Sequence, residues 1–221
     1  MMAGAHPEVA VVPRRPFVPR VVLAFLLLGP GTGFSLSGEA ARIDEALALR
    51  AGMHVADVGA GDGEWTEHLA RTVGAGGRVY ATEVDTDELE KIERRVKDAG
   101  LGNVTTVLGA ADRTGLEGGC CDAILLRMVY HHFTDPPPMR ASLRQALRPG
   151  ARLAVIDIEP QRSWRHLPGV PERGGHGIPA DALVAEMTAD GFEVVARHEA
   201  WNGDAERYCV VFRRASPRAG S

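Results

Sequence analysis

Apolar and polar positions alternate along this chain in a way that predicts strands and helices in turn. A short apolar run from Val55 to Val58 predicts a buried strand. After a glycine-containing segment, Trp65, Leu69 and Val73 recur four residues apart, which predicts a helix that opens near Glu64. A strand, a glycine turn and a helix in succession form the first unit of an α/β fold.

The same alternation continues to the end of the chain. Further strands are predicted at 78–83, 104–108, 123–126, 152–158, 192–198 and 208–213. Helices are predicted between them, capped by Asp85 or Thr86 in one case and begun by prolines at 136–138 and 179 in the others. The segment 123–126 is apolar on both faces, as expected of a central parallel strand. Helices covering both faces of such a sheet would give a three-layer α/β domain.

The glycine segment 57–63 has the pattern D-x-G-x-G-x-G. A dinucleotide-binding loop would need a glycine at position 64, which is glutamate. The acids Asp57, Asp62 and Glu64 would repel a pyrophosphate at the helix N-terminus, where anions otherwise bind. They suit a ligand that carries cations, such as S-adenosylmethionine (SAM) with its sulfonium and ammonium groups. The alternative is a purely structural tight turn, with acids that favour the helix dipole.

An acid also ends the second predicted strand, at Glu83. It lies about 20 residues beyond the glycine loop, where an acidic side chain can accept hydrogen bonds from the ribose hydroxyls of a nucleoside. Glu83 could instead start the following helix beside Asp85. Its distance from the loop favours the ribose role.

These residues together resemble the SAM-binding signature of the class I (Rossmann-like) methyltransferases, and 129–133 (VYHHF) resembles the ubiquinone/menaquinone-methyltransferase-like group. The resemblance implies a seven-stranded, mostly parallel sheet of order 3-2-1-4-5-7-6 with an antiparallel C-terminal strand. It also implies SAM as cofactor. The cofactor-binding residues that we predict are Asp57, Gly59, Ala60, Gly61, Gly63, Glu83, Ala111, Asp112 and Arg127. Asp57 would meet the ammonium and Ala111-Asp112 the adenine, although Asp112 could equally be a turn residue.

The segment after the fourth strand offers Tyr130, His131 and His132 as catalytic candidates, because ligands of open α/β sheets lie beyond the carboxyl ends of the strands. A histidine there could deprotonate an acceptor, but methyl transfer mainly needs alignment, so capping or packing roles are the default. A metal site that combines these histidines with Asp135 and Asp157 is not expected, since adjacent side chains of an extended chain point apart.

Composition narrows the classes of partner. The chain has 221 residues, of which 45% are hydrophobic, and a net charge of −4. This charge gives no support to a nucleic-acid partner. The three cysteines show neither a disulfide framework nor metal-ligand spacing, and Cys120 and Cys121 are expected to be small packing residues. Oligomeric state leaves no signal in the sequence.

The N-terminal 38 residues differ from the rest. Arg14 and Arg15 precede an apolar run from Val21 to Leu28, a layout typical of a signal peptide and similar to a twin-arginine export signal. The run is too short to span a bilayer. We therefore divide the chain into a leader at 1–38, a methyltransferase domain at 39–214 and a disordered tail at 215–221. If the leader is a signal, we expect the protein to be exported or associated with a membrane. If the leader is merely disordered, we expect a cytoplasmic location.

The resulting prediction is a SAM-dependent methyltransferase that acts on a small-molecule acceptor by direct displacement. Two alternatives stay open: a SAM-binding protein without catalysis, and an NAD(P)-binding oxidoreductase. The long polar stretch 161–177, with Trp164, His166 and His176, is expected to be a lid that contacts the acceptor.

Overall fold

The computed structural model describes residues 36–163 and 168–215, with side chains from residue 38 onward. The leader with Arg14 and Arg15, the loop residues Trp164 and His166, and the tail beyond 215 lie outside the described residues. The helices are α1 (Leu36–Leu47), α2 (Glu64–Val73), α3 (Thr86–Asp98), α4 (Pro136–Ala146) and α5 (Ala180–Ala189). The strands are β1 (His54–Val58), β2 (Arg78–Glu83), β3 (Val104–Leu108), β4 (Cys121–Arg127), β5 (Leu147–Ile158), β6 (Phe192–His198) and β7 (Arg207–Arg214).

The seven strands form one sheet in the order β3-β2-β1-β4-β5-β7-β6. Strands β1 to β5 pair in parallel, and β7 pairs antiparallel with both β5 and β6. This arrangement confirms the predicted mostly parallel, Rossmann-like sheet. Because β1 lies between β2 and β4, their carboxyl ends at Val58, Glu83 and Arg127 meet at one edge of the sheet. That edge is where this fold binds ligands.

Apolar side chains cover both faces of the sheet. In β4, Ile124 and Leu126 belong to one buried cluster with α4 and α5, whereas Ala123 and Leu125 belong to a second cluster with α1 and α2. The alternation follows from the two-residue repeat of a strand. Each fully buried leucine or isoleucine contributes roughly 1.5–3 kcal/mol by leaving water. The central position predicted for this strand is therefore confirmed.

The structure differs from the expected elements at several boundaries. Strand β5 begins at Leu147, not at Arg152, because Leu147 pairs with Cys121 beside a bulge and takes the chain out of helix α4 before Pro149. Cys121 is buried in the cluster with α4 and α5 and Cys120 packs against the same cluster, as expected of small packing residues, and the structure also joins the two sulfurs in a disulfide that the sequence analysis does not predict. Among the described residues, no helix combines the length and apolar character that crossing a membrane requires.

Candidate functional site

The glycine loop joins β1 to α2 through backbone conformations that glycine adopts without strain. Gly59 has φ of 71° and Gly61 has φ of 55°. A Cβ atom at Gly59 would lie 2.4 Å from Val129 Cγ2, so a larger residue cannot fit there unless Val129 moves. The backbone N–H groups of Gly59 and Ala60 both donate to the Thr82 carbonyl, at 2.9 and 3.1 Å. The loop is thus held against the end of β2.

Asp57 lies inside β1 and is buried, with 3% of its surface exposed. Its Oδ2 accepts a hydrogen bond from Thr66 Oγ1 of helix α2 at 2.7 Å. Burial raises the pKa of Asp57 to about 6, with a smaller contribution from the charge of Glu83, against the lowering effects of Thr66 and Arg127. A cation brought to this carboxylate would favour its ionised form.

Glu83 is bound directly to the glycine loop. Its Oε1 accepts from the Gly61 N–H at 2.7 Å, and its Oε2 accepts from the Val84 N–H at 3.0 Å. The start of α3 is capped by Asp85, which accepts from the Asp87 N–H. Glu83 therefore has no capping role, and the alternative of a helix-start residue is wrong.

A cavity of about 380 Å³ opens at the carboxyl edge of the sheet. It is lined by Val58, Gly59, Thr82, Glu83, Val84, Gly109, Ala110, Ala111, Arg113, Thr114, Met128, Val129, His132, Phe133, Thr134 and Met139. Of the predicted cofactor residues, Gly59, Glu83 and Ala111 lie in this lining. Asp112 does not; its half-exposed carboxylate pairs with Arg113, with an N–O distance of 3.0 Å.

The remaining predicted cofactor residues, Asp57, Ala60, Gly61, Gly63 and Arg127, lie around the cavity without lining it. The side chain of Arg127 turns to Glu39 of helix α1, with two N–O distances of 3.0 Å. Its guanidinium also lies over the ring of Trp65, 4.9 Å from the centroid.

Glu39 is a residue that the sequence pattern does not single out. It is buried, and besides Arg127 it accepts from Trp201 Nε1 at 3.0 Å. Helix α1 is therefore tied to the end of β4 by a charged group. No local pattern marks Glu39, because its partners lie 88 and 162 residues away.

Tyr130 is a catalytic candidate by sequence, and the structure places it elsewhere. The side chain is fully buried, and its hydroxyl donates to Glu186 Oε2 at 2.7 Å and accepts from Arg140 Nη1 at 3.2 Å. Burial, with the neighbouring charge of Glu186, raises the Tyr130 pKa. The residue supports the turn from within the core and does not line the cavity.

His131 is buried and forms a dyad with Asp157. Its Nδ1 lies 2.5 Å from Asp157 Oδ1, and its Nε2 lies 3.1 Å from His176 Nε2. Asp157 is fully buried and also accepts from the backbone N–H of Ile158. The carboxylate thus fixes the His131 ring in place.

His132 is the catalytic candidate that lines the cavity. The segment Tyr130–His132 is a 3₁₀ turn rather than an extended chain, and the rings of His131 and His132 lie 4.0 Å apart between centroids. The premise that these adjacent histidines point apart is therefore wrong. Partial desolvation by the surrounding protein, followed by the proximity of His131 and His176, lowers the pKa of His132 to about 4.

The two ends of the stretch 161–177 pair with each other. Gln161 and His176 form an antiparallel bridge, with N–O distances of 2.8 and 3.2 Å. Gly169 lies against Thr134, which lines the cavity. The described part of the predicted lid therefore approaches the cavity.

Comparison with known proteins identifies relatives for this arrangement. A family model described as "Methyltransferase domain" matches residues 56–155. The ubiquinone/menaquinone biosynthesis C-methyltransferase UbiE of Idiomarina loihiensis is 28% identical over 115 residues, which cover 52% of this chain and 46% of the relative. The chain thus spans about half the length of the curated relatives it matches.

Solved structures share the fold. A SAM-dependent methyltransferase from Aquifex aeolicus superimposes with a TM-score of 0.67 at 23% identity, over 80% of this chain and 89% of that one. A structure titled [4+2]-cyclase SpnF also has a TM-score of 0.67, at 16% identity, over 80% and 81% of the two chains. At these identities the likeness shows the fold alone.

Proposed function

We propose that this chain, which belongs to the class I SAM-dependent methyltransferases, transfers a methyl group to a small-molecule acceptor held in the cavity beside the glycine loop. One observation carries the proposal. The same cavity is lined by Gly59 and Glu83, at the glycine loop and the end of β2, and by Met128, Val129, His132 and Phe133, which follow β4. A cofactor bound at the first set and an acceptor bound at the second would therefore meet in one cavity.

The residues around the loop fit the groups of SAM, which supplies an electrophilic methyl group on its sulfonium when bound. Glu83, anchored to the Gly61 and Val84 N–H groups, has its carboxylate at the cavity to accept from ribose hydroxyls. Asp57 is a buried carboxylate beside the glycine loop, and the ammonium of SAM would favour its ionised form, which burial disfavours. Ala111 lines the cavity, and an adenine ring would lie against it.

The acceptor side of the cavity is mainly apolar. Met128, Val129, Phe133 and Met139 line it. Such a wall suits an acceptor with an apolar part and excludes water from the reacting atoms. We therefore propose an acceptor with an apolar ring or chain, a choice supported by relatives whose names refer to quinone biosynthesis.

The chain's own contribution to the reaction is positioning. Direct displacement needs the nucleophile, methyl and sulfur in line, and well-aligned reactants gain several kcal/mol by this alone, about 7–11 kcal/mol in the best cases. The turn Tyr130–His132 is held rigidly by the Tyr130 and His131 contacts described above. It thus presents His132 and Phe133 to the acceptor from a fixed base.

A second candidate is a SAM-binding protein that does not transfer methyl groups. It is favoured by the SpnF structure, whose title names a cyclase on this same fold. Fold similarity does not determine the reaction. An acceptor panel with SAM labelled in its methyl group distinguishes the two, because only the methyltransferase produces labelled acceptor.

Calorimetric titration of the full chain with S-adenosylhomocysteine, beside NAD, tests the cofactor. We expect micromolar binding of S-adenosylhomocysteine alone. Glu83→Ala should weaken it by about 1–3 kcal/mol, because buried hydroxyls lose a charged acceptor. The control is Glu90→Ala, which removes an exposed acid of α3. Equal binding to Glu83→Ala and wild type would remove Glu83 from the site, and binding of NAD alone would contradict the proposal.

A further inference from the structure

Three histidines converge beside the cavity: His131 and His132 of the 3₁₀ turn and His176 at the end of the loop. One ligand nitrogen from each lies within 4.8 Å of the others. We propose that these three imidazoles form a binding site for a divalent transition metal of the zinc type. This proposal does not depend on methyl transfer, since it concerns binding of the ion alone.

The fold brings the three rings together by two separate devices. The 3₁₀ turn places His131 and His132 on one side of the chain, although they are neighbours in sequence. The bridge between Gln161 and His176 then carries the third ring to them, so that His131 and His176 have centroids 4.7 Å apart. Neither device is visible as a metal-binding spacing in the sequence.

The nitrogen separation fits a shared ion. The Nε2 atoms of His131 and His176 lie 3.1 Å apart. Two imidazoles bound to one zinc at about 2.0–2.1 Å are separated by about 3.3 Å in a tetrahedral site, and by less at smaller angles. A direct hydrogen bond between the two rings would give the same distance. The test must therefore detect the bound ion itself.

Asp157 supplies the second feature of a histidine metal site. A histidine that binds a metal usually donates its other ring N–H to a carboxylate or carbonyl, which orients the ring. His131 has this arrangement, because its Nδ1 lies 2.5 Å from Asp157 Oδ1 and leaves Nε2 toward His176. The buried carboxylate also compensates part of the charge of a bound cation.

The three side chains differ in exposure, so that an ion could reach the site from solvent. His131 is buried, His176 is half-buried and His132 is exposed and lines the cavity. Three histidine ligands with a remaining position for water or another ligand are the arrangement of catalytic zinc sites. An ion bound here would therefore adjoin the cavity proposed to hold the acceptor.

Titration of the chelator-treated full chain with Co²⁺, followed by visible absorption, tests the proposal, with Zn²⁺ added afterwards as competitor. We expect one equivalent of Co²⁺ to bind with ligand-field bands that Zn²⁺ abolishes. His132→Ala, whose side chain is exposed, and His176→Ala should each weaken binding by more than about tenfold. His198→Ala is the matched control, because it removes a histidine of β6 outside the cluster.

Circular dichroism of each variant establishes that it is folded. Bands that are absent in wild type, or that persist with unchanged affinity in both His132→Ala and His176→Ala, would overturn the site. Equal weakening of binding in His198→Ala would overturn it as well, since the metal would then lie elsewhere. Asp157→Asn offers a further measure, with an expected loss of about 10–100-fold in affinity while the bands keep their shape.

Discussion

The two sides of the cavity are built by different means. The cofactor side consists of β1, the glycine loop and the end of β2, and its contacts are mostly backbone hydrogen bonds, such as those from Gly59 and Ala60 to Thr82. The acceptor side consists of the turn Tyr130–His132 and the segments that pack on it. Side chains from distant parts of the sequence hold that turn in place.

The acceptor-side contacts span long sequence separations. Tyr130 bonds Glu186 over 56 residues, and His131 bonds Asp157 over 26. Arg140 joins the first pair through Glu186 and also pairs with Asp190. The cofactor side therefore depends on backbone conformation within a short motif. The acceptor side depends on contacts between buried polar groups that are far apart in the sequence.

The largest effect should come from breaking the acceptor-side network. Arg140→Ala leaves Tyr130 without one donor and Glu186 and Asp190 without this cation. Because Arg140 is buried, we expect the free energy of unfolding to fall by about 3–5 kcal/mol, measured by urea denaturation. Arg94→Ala is the control, since its exposed pair with Glu90 contributes at most about 1 kcal/mol.

Titration of the same variant with S-adenosylhomocysteine tests whether the two sides are independent. If they are, folded Arg140→Ala should keep the wild-type dissociation constant, because the hydrogen bonds of Arg140 do not reach the glycine loop.

In the denaturation experiment, a decrease of less than about 1 kcal/mol in the unfolding free energy of Arg140→Ala would show that the network does not support the turn.

The same difference explains what the sequence could predict. The end of β1, the bounds of β2 and the opening of α2 follow from hydrophobic periodicity and glycine spacing, whereas the sheet order follows from the resemblance to the methyltransferase family; these predictions are confirmed. The conformation of the turn at Tyr130–His132 is not determined by the neighbouring sequence alone. The sequence pattern is compatible with an extended chain there, which would place the neighbouring histidines on opposite sides.

Tyr130 shows the physical reason. A tyrosine beyond the end of a parallel strand is as compatible with a substrate contact as with a core position. Only the partners of its hydroxyl, Glu186 and Arg140, decide between them. Glu39 is a second example, in which the partners are still more distant in the sequence. A glutamate early in α1 gives no sign of its buried contacts with Arg127 and Trp201. Predictions from one sequence capture motifs and miss such pairs.

An intermediate effect is expected within the cofactor side, where two glycines form a matched pair. Gly59→Ala introduces a Cβ at 2.4 Å from Val129 in addition to a positive φ, whereas Gly61→Ala has a positive φ with no atom within 4 Å of the added Cβ. We expect unfolding free energies to fall by about 2–3 kcal/mol for the first and about 1 kcal/mol for the second, as measured by urea denaturation.

Adding Val129→Ala to Gly59→Ala separates the clash from the backbone strain. The double variant should recover stability to about the level of Gly61→Ala in the same denaturation experiment. No recovery would mean that the contact with Val129, which joins the two sides of the cavity, is not what requires glycine at position 59.

The smallest effect concerns the charge of Asp57. Burial raises its pKa from 3.8 to about 6, so between these values the folded protein binds a proton that the unfolded chain has lost. The contribution of Asp57 to stability therefore falls as the pH rises through this window, and the full penalty is present above about pH 6. A bound ammonium would relieve that penalty, because it favours the ionised carboxylate.

The affinity for S-adenosylhomocysteine should therefore decrease as the pH falls through 6, by up to about tenfold between pH 7 and pH 5. Asp57→Asn should bind more weakly at pH 7 and show little change over this range, because the amide does not titrate and can still contact Thr66. Calorimetric titrations at several pH values measure both proteins. The same pH dependence in Asp57→Asn would assign the titration to another group and remove the ammonium contact from Asp57, leaving the cofactor side to depend on backbone groups and Glu83.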